Sequence, residues 1–227
     1  MMQQEAKWLY KNILAHEKNK KLLMNLGSST NNFRNNIQPH ISKELFDPLV
    51  NFGYKVFHVD VKDDKGVDIV GDVTKESFLQ RLSEINPGAV VCSNLLEHLE
   101  DRELFCKSVE KILSSGSYLF VTCPNQYRYH PDPIDTMFRP DITDLAAEFK
   151  NLNLIKGEIL NCGSYIVQDE YNKKHNFKLW FKNRLKLYIK YLLPFYKPFN
   201  WYRLITKRDE IDLNQAILVT CLVMRKN

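Results

Sequence analysis

Residues 22–30 read LLMNLGSST, and this stretch decides the fold. Its apolar first half is typical of a short buried strand, and the small residues that follow indicate a tight turn. A second apolar run, Tyr54–Val59, ends in Asp60, one helix and its turns further along the chain. This spacing predicts a βαβ unit, in which two parallel strands are joined by a helix.

The turn and the acid indicate what the strand ends bind. Around Gly27 the small residues let a ligand approach the backbone closely. Asp60 can accept hydrogen bonds from both hydroxyls of a ribose. The dinucleotide fingerprint needs three spaced glycines, whereas Gly27 is the single glycine of this turn. The pattern favours a nucleoside cofactor without pyrophosphate, and a nucleotide-dependent oxidoreductase stays open as a less favoured alternative.

The remaining elements predict an α/β fold. Further strands are expected at Val67–Val70, Ala89–Ser93, Ser117–Cys123 and Gln215–Met224. Helices are expected at Gln4–Lys18, Ser42–Phe52, Thr74–Ile85, Asp101–Leu113 and Asp141–Phe149, with Ser42 as an N-cap. The polar segment Asn31–Gln38 is predicted to be a loop, and Leu152–Leu160 and Tyr165–Val167 to be strand pieces. The alternation predicts a doubly wound, mainly parallel sheet with helices on both faces.

Four motifs, in this order, resemble the class I S-adenosylmethionine-dependent methyltransferases: residues 22–30, Asp60 with Asp72, residues 93–99 (SNLLEHL) and residues 116–124. The likeness is greatest to the branch linked to bacterial surface polysaccharide biosynthesis, and it covers residues 21–149. In the family's glycine-rich turn, Asn25 stands for an acid, Ser29 for the second glycine and Asn31 for the third.

The resemblance implies a Rossmann-like methyltransferase fold and S-adenosylmethionine as the cofactor. The residues expected to bind this cofactor are Asn25, Gly27, Ser28, Ser29, Asp60, Asp72, Asn94 and Leu95. For Asp72, capping of the helix Thr74–Ile85 is an equally good interpretation. The altered turn also leaves open a non-catalytic relative of these enzymes, which docks to a membrane or a partner through residues 171–208.

Methyl transfer to a hydroxyl is an in-line displacement that gains from a base near the acceptor. The predicted catalytic residues are His98, His130 and Asp132, which follow the ends of buried strands. Asp135 and Arg139 are predicted to bind the substrate. Alternatively, the two residues form an ion pair with each other that holds their loop. The expected acceptor is a glycan, a sugar nucleotide or another small molecule, and O-methylation is the expected reaction. No metal site is predicted.

Composition limits the other possibilities. The chain has 227 residues and 44% apolar residues, which suits one α/β domain. Its five cysteines include no C-x-x-C pair and most lie in apolar runs, which indicates reduced core cysteines and a cytoplasmic location. Neither a secretory signal nor a transmembrane span is predicted. The oligomeric state stays open.

One segment carries the positive charge. Eleven of the 32 Lys and Arg lie in residues 171–208, which contain no Asp or Glu, so the remainder is net acidic. Residues 177–193 predict an amphipathic helix with a lysine stripe. Its apolar side is expected to pack on the core or a partner, or to contact the inner face of a membrane through residues 177–205. Nucleic-acid binding is the least favoured interpretation.

A single domain is predicted. It comprises an N-terminal helix (1–20), a cofactor-binding core (21–170), a basic aromatic insertion (171–209) and a closing strand (210–227).

Overall fold

A computed structural model describes residues 1–17, 19–130, 132–192 and 213–227. The chain divides into two compact units, of which the first comprises residues 1–162 and 217–227 and the second residues 163–216. The predicted end of the basic helix, at Pro194, and the aromatic residues after it lie outside the described residues. In the part that is described, no helix is both long and apolar enough to cross a bilayer.

The first unit is built on a seven-stranded sheet of order β3-β2-β1-β4-β5-β7-β6. Strands β3, β2, β1, β4 and β5 are parallel, and β7 runs antiparallel to β5. The strands are Leu22–Leu26 (β1), Lys55–Asp60 (β2), Ile69–Val70 (β3), Ala89–Ser93 (β4), Tyr118–Gln126 (β5), Leu152–Ser164 (β6) and Ala216–Lys226 (β7). The predicted doubly wound, mainly parallel fold is confirmed.

Helices connect the strands. They are Gln3–His16 (α1), Asp47–Asn51 (α2), Glu76–Ile85 (α3), Arg102–Ile112 (α4) and Ile142–Ala147 (α5). Caps fix two of the starts, because the carboxylates of Asp101 and Asp141 accept hydrogen bonds from the backbone N–H groups of Leu104 and Asp144. Strands β1 and β4 are almost wholly buried, as their continuous apolar sequences predict.

The five cysteines lie among the described residues, and all are buried and unbridged. Burial raises the pKa of each of these thiols, that of Cys106 to about 12. They are therefore protonated core residues, in agreement with the sequence.

Three local predictions are wrong. Residues Phe33–Ile37, expected to be a loop, form a π-helical turn, and a second such turn, Ser42–Phe46, leads into α2. Ser42 lies inside that second turn and does not cap it, since the preceding residue is already helical. Tyr165–Val167 begins a helix instead of a strand, because β6 is one continuous strand that ends at Ser164.

The second unit contains helices Tyr165–His175 (α6) and Phe177–Leu192 (α7). Asp169 joins them, since its carboxylate accepts hydrogen bonds from Arg184 (2.6 Å) and from the indole N–H of Trp180 (3.1 Å). Phe177, Phe181 and Leu185 recur every four residues on α7 with about half of their surface exposed. The predicted basic helix therefore forms, and one of its apolar rows faces solvent.

Candidate active site

A cavity of about 690 Å³ opens at the carboxyl ends of β1, β2, β4 and β5. Parallel α/β sheets bind ligands at this edge, and the volume suits a small organic molecule. All the residues predicted to bind cofactor line it, as do all three predicted catalytic residues: Asn25, Gly27, Ser28, Ser29, Asp60, Asp72, Asn94, Leu95, His98, His130 and Asp132. The fold thus brings the predicted cofactor-binding and catalytic residues, which lie far apart in the sequence, into one cavity. The role of each residue stays a prediction.

The turn after β1 is tight enough to require Gly27. Its φ is +66°, and a Cβ at this position would lie 2.8 Å from the side chain of Leu95. Ser29, which stands for the family's second glycine, also has a positive φ of +53°. A left-handed conformation costs a serine about 1 kcal/mol, so neighbouring contacts must hold it.

Arg34 supplies those contacts and was not expected from the sequence. It is buried, and its guanidinium donates to the carbonyls of Ser28 (2.9 Å), Ser29 (2.6 Å) and Gly66 (2.5 Å). The π-helical turn that carries Arg34 thus stabilises the altered glycine turn through hydrogen bonds to its backbone carbonyls. A lone arginine within an Asn-rich segment gave no sequence signal for this role.

Asp60 ends β2 with its carboxylate in the cavity wall. One oxygen accepts a hydrogen bond from the backbone N–H of Ser29 (2.6 Å), and the other accepts one from Lys62 (3.0 Å). Each carboxylate oxygen can accept a second hydrogen bond. Asp60 is therefore fixed in position and can still bind a vicinal diol.

Asn25 is buried and paired with a neutral histidine. Its amide nitrogen lies 3.2 Å from Nδ1 of His58. Burial lowers the pKa of His58 to about 4, and the nearby charge of Arg34 acts in the same direction. His58 is thus uncharged at neutral pH and accepts the hydrogen bond from Asn25.

Asp72 lines the cavity, but the proposed capping of the following helix is wrong. Helix α3 begins at Glu76, and Asp72 instead accepts from the hydroxyl (2.7 Å) and the backbone N–H (2.9 Å) of Thr74. These hydrogen bonds lower the pKa of Asp72. The carboxylate is therefore ionised at neutral pH and held by a local turn.

Glu5 reaches the cavity from α1 and was missed by the sequence reasoning. Its fully buried carboxylate accepts hydrogen bonds from Ser93 (2.7 Å), Asn94 (2.8 Å) and Thr122 (2.5 Å). Glu5 lies four residues before Leu9 and eight before Ile13, so helical spacing places it on the buried face of α1. An acid within the apolar row of a helix is the sequence feature from which a buried, functional Glu5 could have been predicted.

The turn Leu96–His98 after β4 carries a second buried acid. Glu97 is fully buried, and burial raises its pKa to about 7. Within the described part of the chain, its Oε1 has no hydrogen-bond partner. Nε2 of His98 lies 3.7 Å from that oxygen, while Nδ1 of His98 lies 2.5 Å from the carbonyl oxygen of Ile134.

His130 comes from the loop after β5 and faces His98, with ring centroids 5.1 Å apart. Its backbone N–H donates to Asp135 (2.9 Å), and its Nδ1 lies 3.1 Å from the same carboxylate. Burial lowers the pKa of His130 although Asp135 opposes the shift. An uncharged imidazole at neutral pH can accept a proton.

Asp135 and Arg139 hold this loop together. Arg139 donates to both carboxylate oxygens of Asp135 (3.1 and 2.7 Å) and to the carbonyl of Tyr127 (3.2 Å). Neither residue is among the described residues that line the cavity. The geometry thus favours the alternative of a structural pair over the predicted contact with substrate.

Comparison with known proteins shows the fold. No family model and no curated protein matches the sequence. Among solved structures, coclaurine N-methyltransferase superposes with a TM-score of 0.55 at 13% identity, covering 98% of this chain and 70% of its own. The MccD protein gives 0.55 at 14% identity with 99% of both chains covered. A SAM-dependent methyltransferase from Methanosarcina mazei gives 0.52 at 12% identity, with 96% and 98% covered. The chain thus has the Rossmann-like fold of class I methyltransferases.

Proposed function

We propose that this chain, which has the class I methyltransferase fold, binds S-adenosylmethionine and transfers its methyl group to a hydroxyl of a small acceptor. The observation that carries the proposal is Asp60, fixed at the end of β2 beside the Gly27 turn in a cavity of about 690 Å³. A carboxylate at this place can bind the ribose hydroxyls of a nucleoside. The proposal rests on that chemistry, with the fold as its context.

The cavity residues fit this cofactor. Gly27 and Leu95 both line the cavity, and the Leu95 side chain packs against Gly27 where a Cβ would otherwise lie, so the turn needs glycine to keep this wall of the cavity in place. Glu5, Asp60 and Asp72 add three carboxylates to the cavity wall. Acidic residues outnumber Lys62 in the lining. A cleft of this kind attracts cationic groups, and S-adenosylmethionine carries a sulfonium and an ammonium besides one carboxylate. These acids offset the loss of the family's charge at Asn25.

When bound, the cofactor supplies an electrophilic methyl group. The residues of the chain must place the acceptor oxygen in line with it, about 3 Å away, and take the hydroxyl proton. His98 and His130 line the cavity, and Nδ1 of each is held by an oxygen acceptor. Nε2 of either ring can therefore receive the proton. Asp135 orients His130, which makes Asp135 a positioning residue.

The acceptor we propose is a glycan, a sugar nucleotide or a related polyhydroxylated molecule, modified by O-methylation in the cytoplasm. Two histidine bases that line the cavity suit a hydroxyl acceptor, whose proton must be removed as the oxygen attacks the methyl group. The resemblance to the polysaccharide branch supports the same acceptor class. The five protonated, buried cysteines suit a reducing compartment.

Binding of the cofactor tests the proposal most directly. Isothermal titration of the purified protein with S-adenosylmethionine and with its demethylated product is expected to give one site with micromolar affinity for each. Both compounds are also expected to raise the thermal midpoint, because a ligand that binds only the native state stabilises it. If neither compound gave heat or stabilisation at millimolar concentration, the proposed function would be wrong.

We also propose peripheral membrane contact through α7. Its half-exposed apolar row, Phe177, Phe181 and Leu185, lies beside the exposed lysines Lys182 and Lys186. Apolar residues flanked by lysines suit an anionic lipid surface. Flotation with vesicles containing phosphatidylserine is expected to carry the protein upward at low salt, whereas the Phe177→Ser/Phe181→Ser variant stays at the bottom. Equal flotation of the two proteins, or none for the parent chain, would exclude this contact.

A further inference from the structure

Three side chains of types that can bind a metal ion lie together in the cavity lining. Glu97 and His98 come from the turn after β4, and His130 comes from the loop after β5. Their ligating atoms all lie within 4.8 Å of one another. From this convergence we propose that Glu97, His98 and His130 bind one divalent first-row transition metal ion, a site that the sequence did not predict.

One oxygen of Glu97 is an independent observation for the site. The side chain is fully buried, and among the described residues Oε1 has no hydrogen-bond partner, while Oε2 accepts from the thiol of Cys123 at 3.8 Å. Buried polar atoms are rarely left unsatisfied, because such burial costs about 1 to 3 kcal/mol or more. A cation beside Oε1 would satisfy it.

Hydrogen bonding at Nδ1 leaves Nε2 as the ligand nitrogen of both histidines. Nδ1 of His98 faces the carbonyl oxygen of Ile134, and Nδ1 of His130 faces the carbonyl of Arg128 and the carboxylate of Asp135, each at 3.1 Å. Because these oxygens can only accept, each Nδ1 must carry the hydrogen. The lone pair of each ring then lies on Nε2. Metal-binding histidines commonly donate their other N–H to a carbonyl or carboxylate in this way.

The distances suit a shared ion. Nε2 of His98 lies 3.7 Å from Oε1 of Glu97, too far for a hydrogen bond between them. Two ligands that each lie about 2.1 Å from one metal ion are separated by about 3.4 Å at a tetrahedral angle. The ligating atoms of the three residues lie within 4.8 Å of one another, so they close around an ion if the largest separation shortens by about 1.4 Å. Two imidazoles and one carboxylate favour zinc, cobalt, iron or manganese over calcium and magnesium.

The site opens on the cavity, since all three residues line it. Three protein ligands leave at least one position of the ion for a ligand from the cavity. If the chain is a methyltransferase as proposed, the bound ion would take over the role of the histidine bases, since Nε2 of each ring then binds the ion. A hydroxyl bound to the ion would be more acidic and would lose its proton to solvent more readily, which would ease its methylation. This consequence rests on the proposed function, whereas metal binding itself does not.

Direct titration tests the site. Protein freed of metal by chelation is titrated with Zn²⁺ alone by calorimetry, and with Co²⁺ alone by visible absorption. One ion per chain is expected, with micromolar or tighter affinity and with ligand-field bands for Co²⁺. Glu97→Gln, which preserves the volume of the side chain, and His130→Asn are each expected to weaken binding at least 10-fold. His58→Gln, which replaces a partly buried histidine on β2 outside the cluster, is the matched control and is expected to bind as the parent does.

The outcomes separate this inference from the proposed function. Circular dichroism first establishes that each variant is folded. If the folded parent bound no Zn²⁺ or Co²⁺ at 0.1 mM, a concentration of about 100 times the expected Kd, the inference would be overturned. Equal affinity of the parent and Glu97→Gln would overturn it as well. Titration of the metal-free protein with S-adenosylmethionine is independent, so cofactor binding without metal binding would refute the metal site alone, and the reverse result would refute only the methyltransferase.

Discussion

An Asp60→Ala variant is expected to bind S-adenosylmethionine about 100-fold more weakly than the parent protein. The carboxylate offers one free acceptor position on each oxygen, and the ribose offers two hydroxyl donors. A hydrogen bond to a charged group contributes about 1.5 to 3 kcal/mol, and 100-fold corresponds to about 2.7 kcal/mol. The expected loss of binding free energy therefore lies below the sum for two hydrogen bonds to a charged group, which is about 3 to 6 kcal/mol. Calorimetric titration of the two proteins measures it.

Two further variants separate the ribose contact from other effects. Asp60 also accepts from the backbone of Ser29 and Lys62, so its loss alters the turn as well as the ligand contact. Asp60→Asn keeps one acceptor oxygen, and a smaller loss of affinity is expected. Asp63→Ala removes an exposed acid from the adjacent turn and controls for net charge. Affinities within threefold for the parent and Asp60→Ala would mean that the carboxylate does not bind the cofactor.

The strands were predictable because their sequence signal is local. Ala89–Ser93 is a continuous apolar run, and the structure places β4 at those bounds, between β1 and β5. Once the strands are known, the rule that parallel sheets bind ligands at their carboxyl ends brings Gly27, Asp60 and His98 to one edge. The corresponding site residues could therefore be named without knowledge of any tertiary contact.

The errors arose where tertiary contacts outweigh local preference. The Asn-rich segment 31–38 has weak helix propensity, but three backbone carbonyls bind Arg34 and hold its π-helical turn. Tyr165, Ile166 and Val167 have high strand propensity, yet they begin α6. Propensity differences of a few tenths of a kcal/mol per residue are easily reversed by such contacts.

The missed acids depend on long-range pairing. Glu5 meets its partners Ser93 and Thr122 from 88 and 117 residues away in the sequence. The meeting of Glu97 with His130 requires the path of the loop after β5, which no periodicity in the sequence encodes. A buried acid can be suspected from an apolar helix face, as for Glu5, but its partner is identified only by the fold.

Loss of Asp135 is expected to cost about 3 to 5 kcal/mol of stability, because an Asp135→Ala variant leaves Arg139 largely buried without its partner. Burial by itself would raise the pKa of Asp135, but the hydrogen bonds from Arg139 and from the backbone of His130 and Met137 hold that pKa well below its usual range. The carboxylate is thus ionised and bonded on both oxygens. Urea unfolding followed by tryptophan fluorescence measures the change.

Replacing both partners tests whether the unpaired charge is the cause. An Asp135→Ala/Arg139→Met variant removes the buried cation together with the anion and is expected to recover part of the lost stability, since an apolar pair of similar volume can substitute for a buried ion pair. Glu103→Ala removes the exposed ion pairs of Glu103 with Lys107 (2.9 Å) and Lys150 (3.3 Å); it is the matched control and is expected to leave the stability nearly unchanged. A loss below about 1 kcal/mol for Asp135→Ala, or a double variant no more stable than the single one, would contradict the assignment of this pair as the loop's main support.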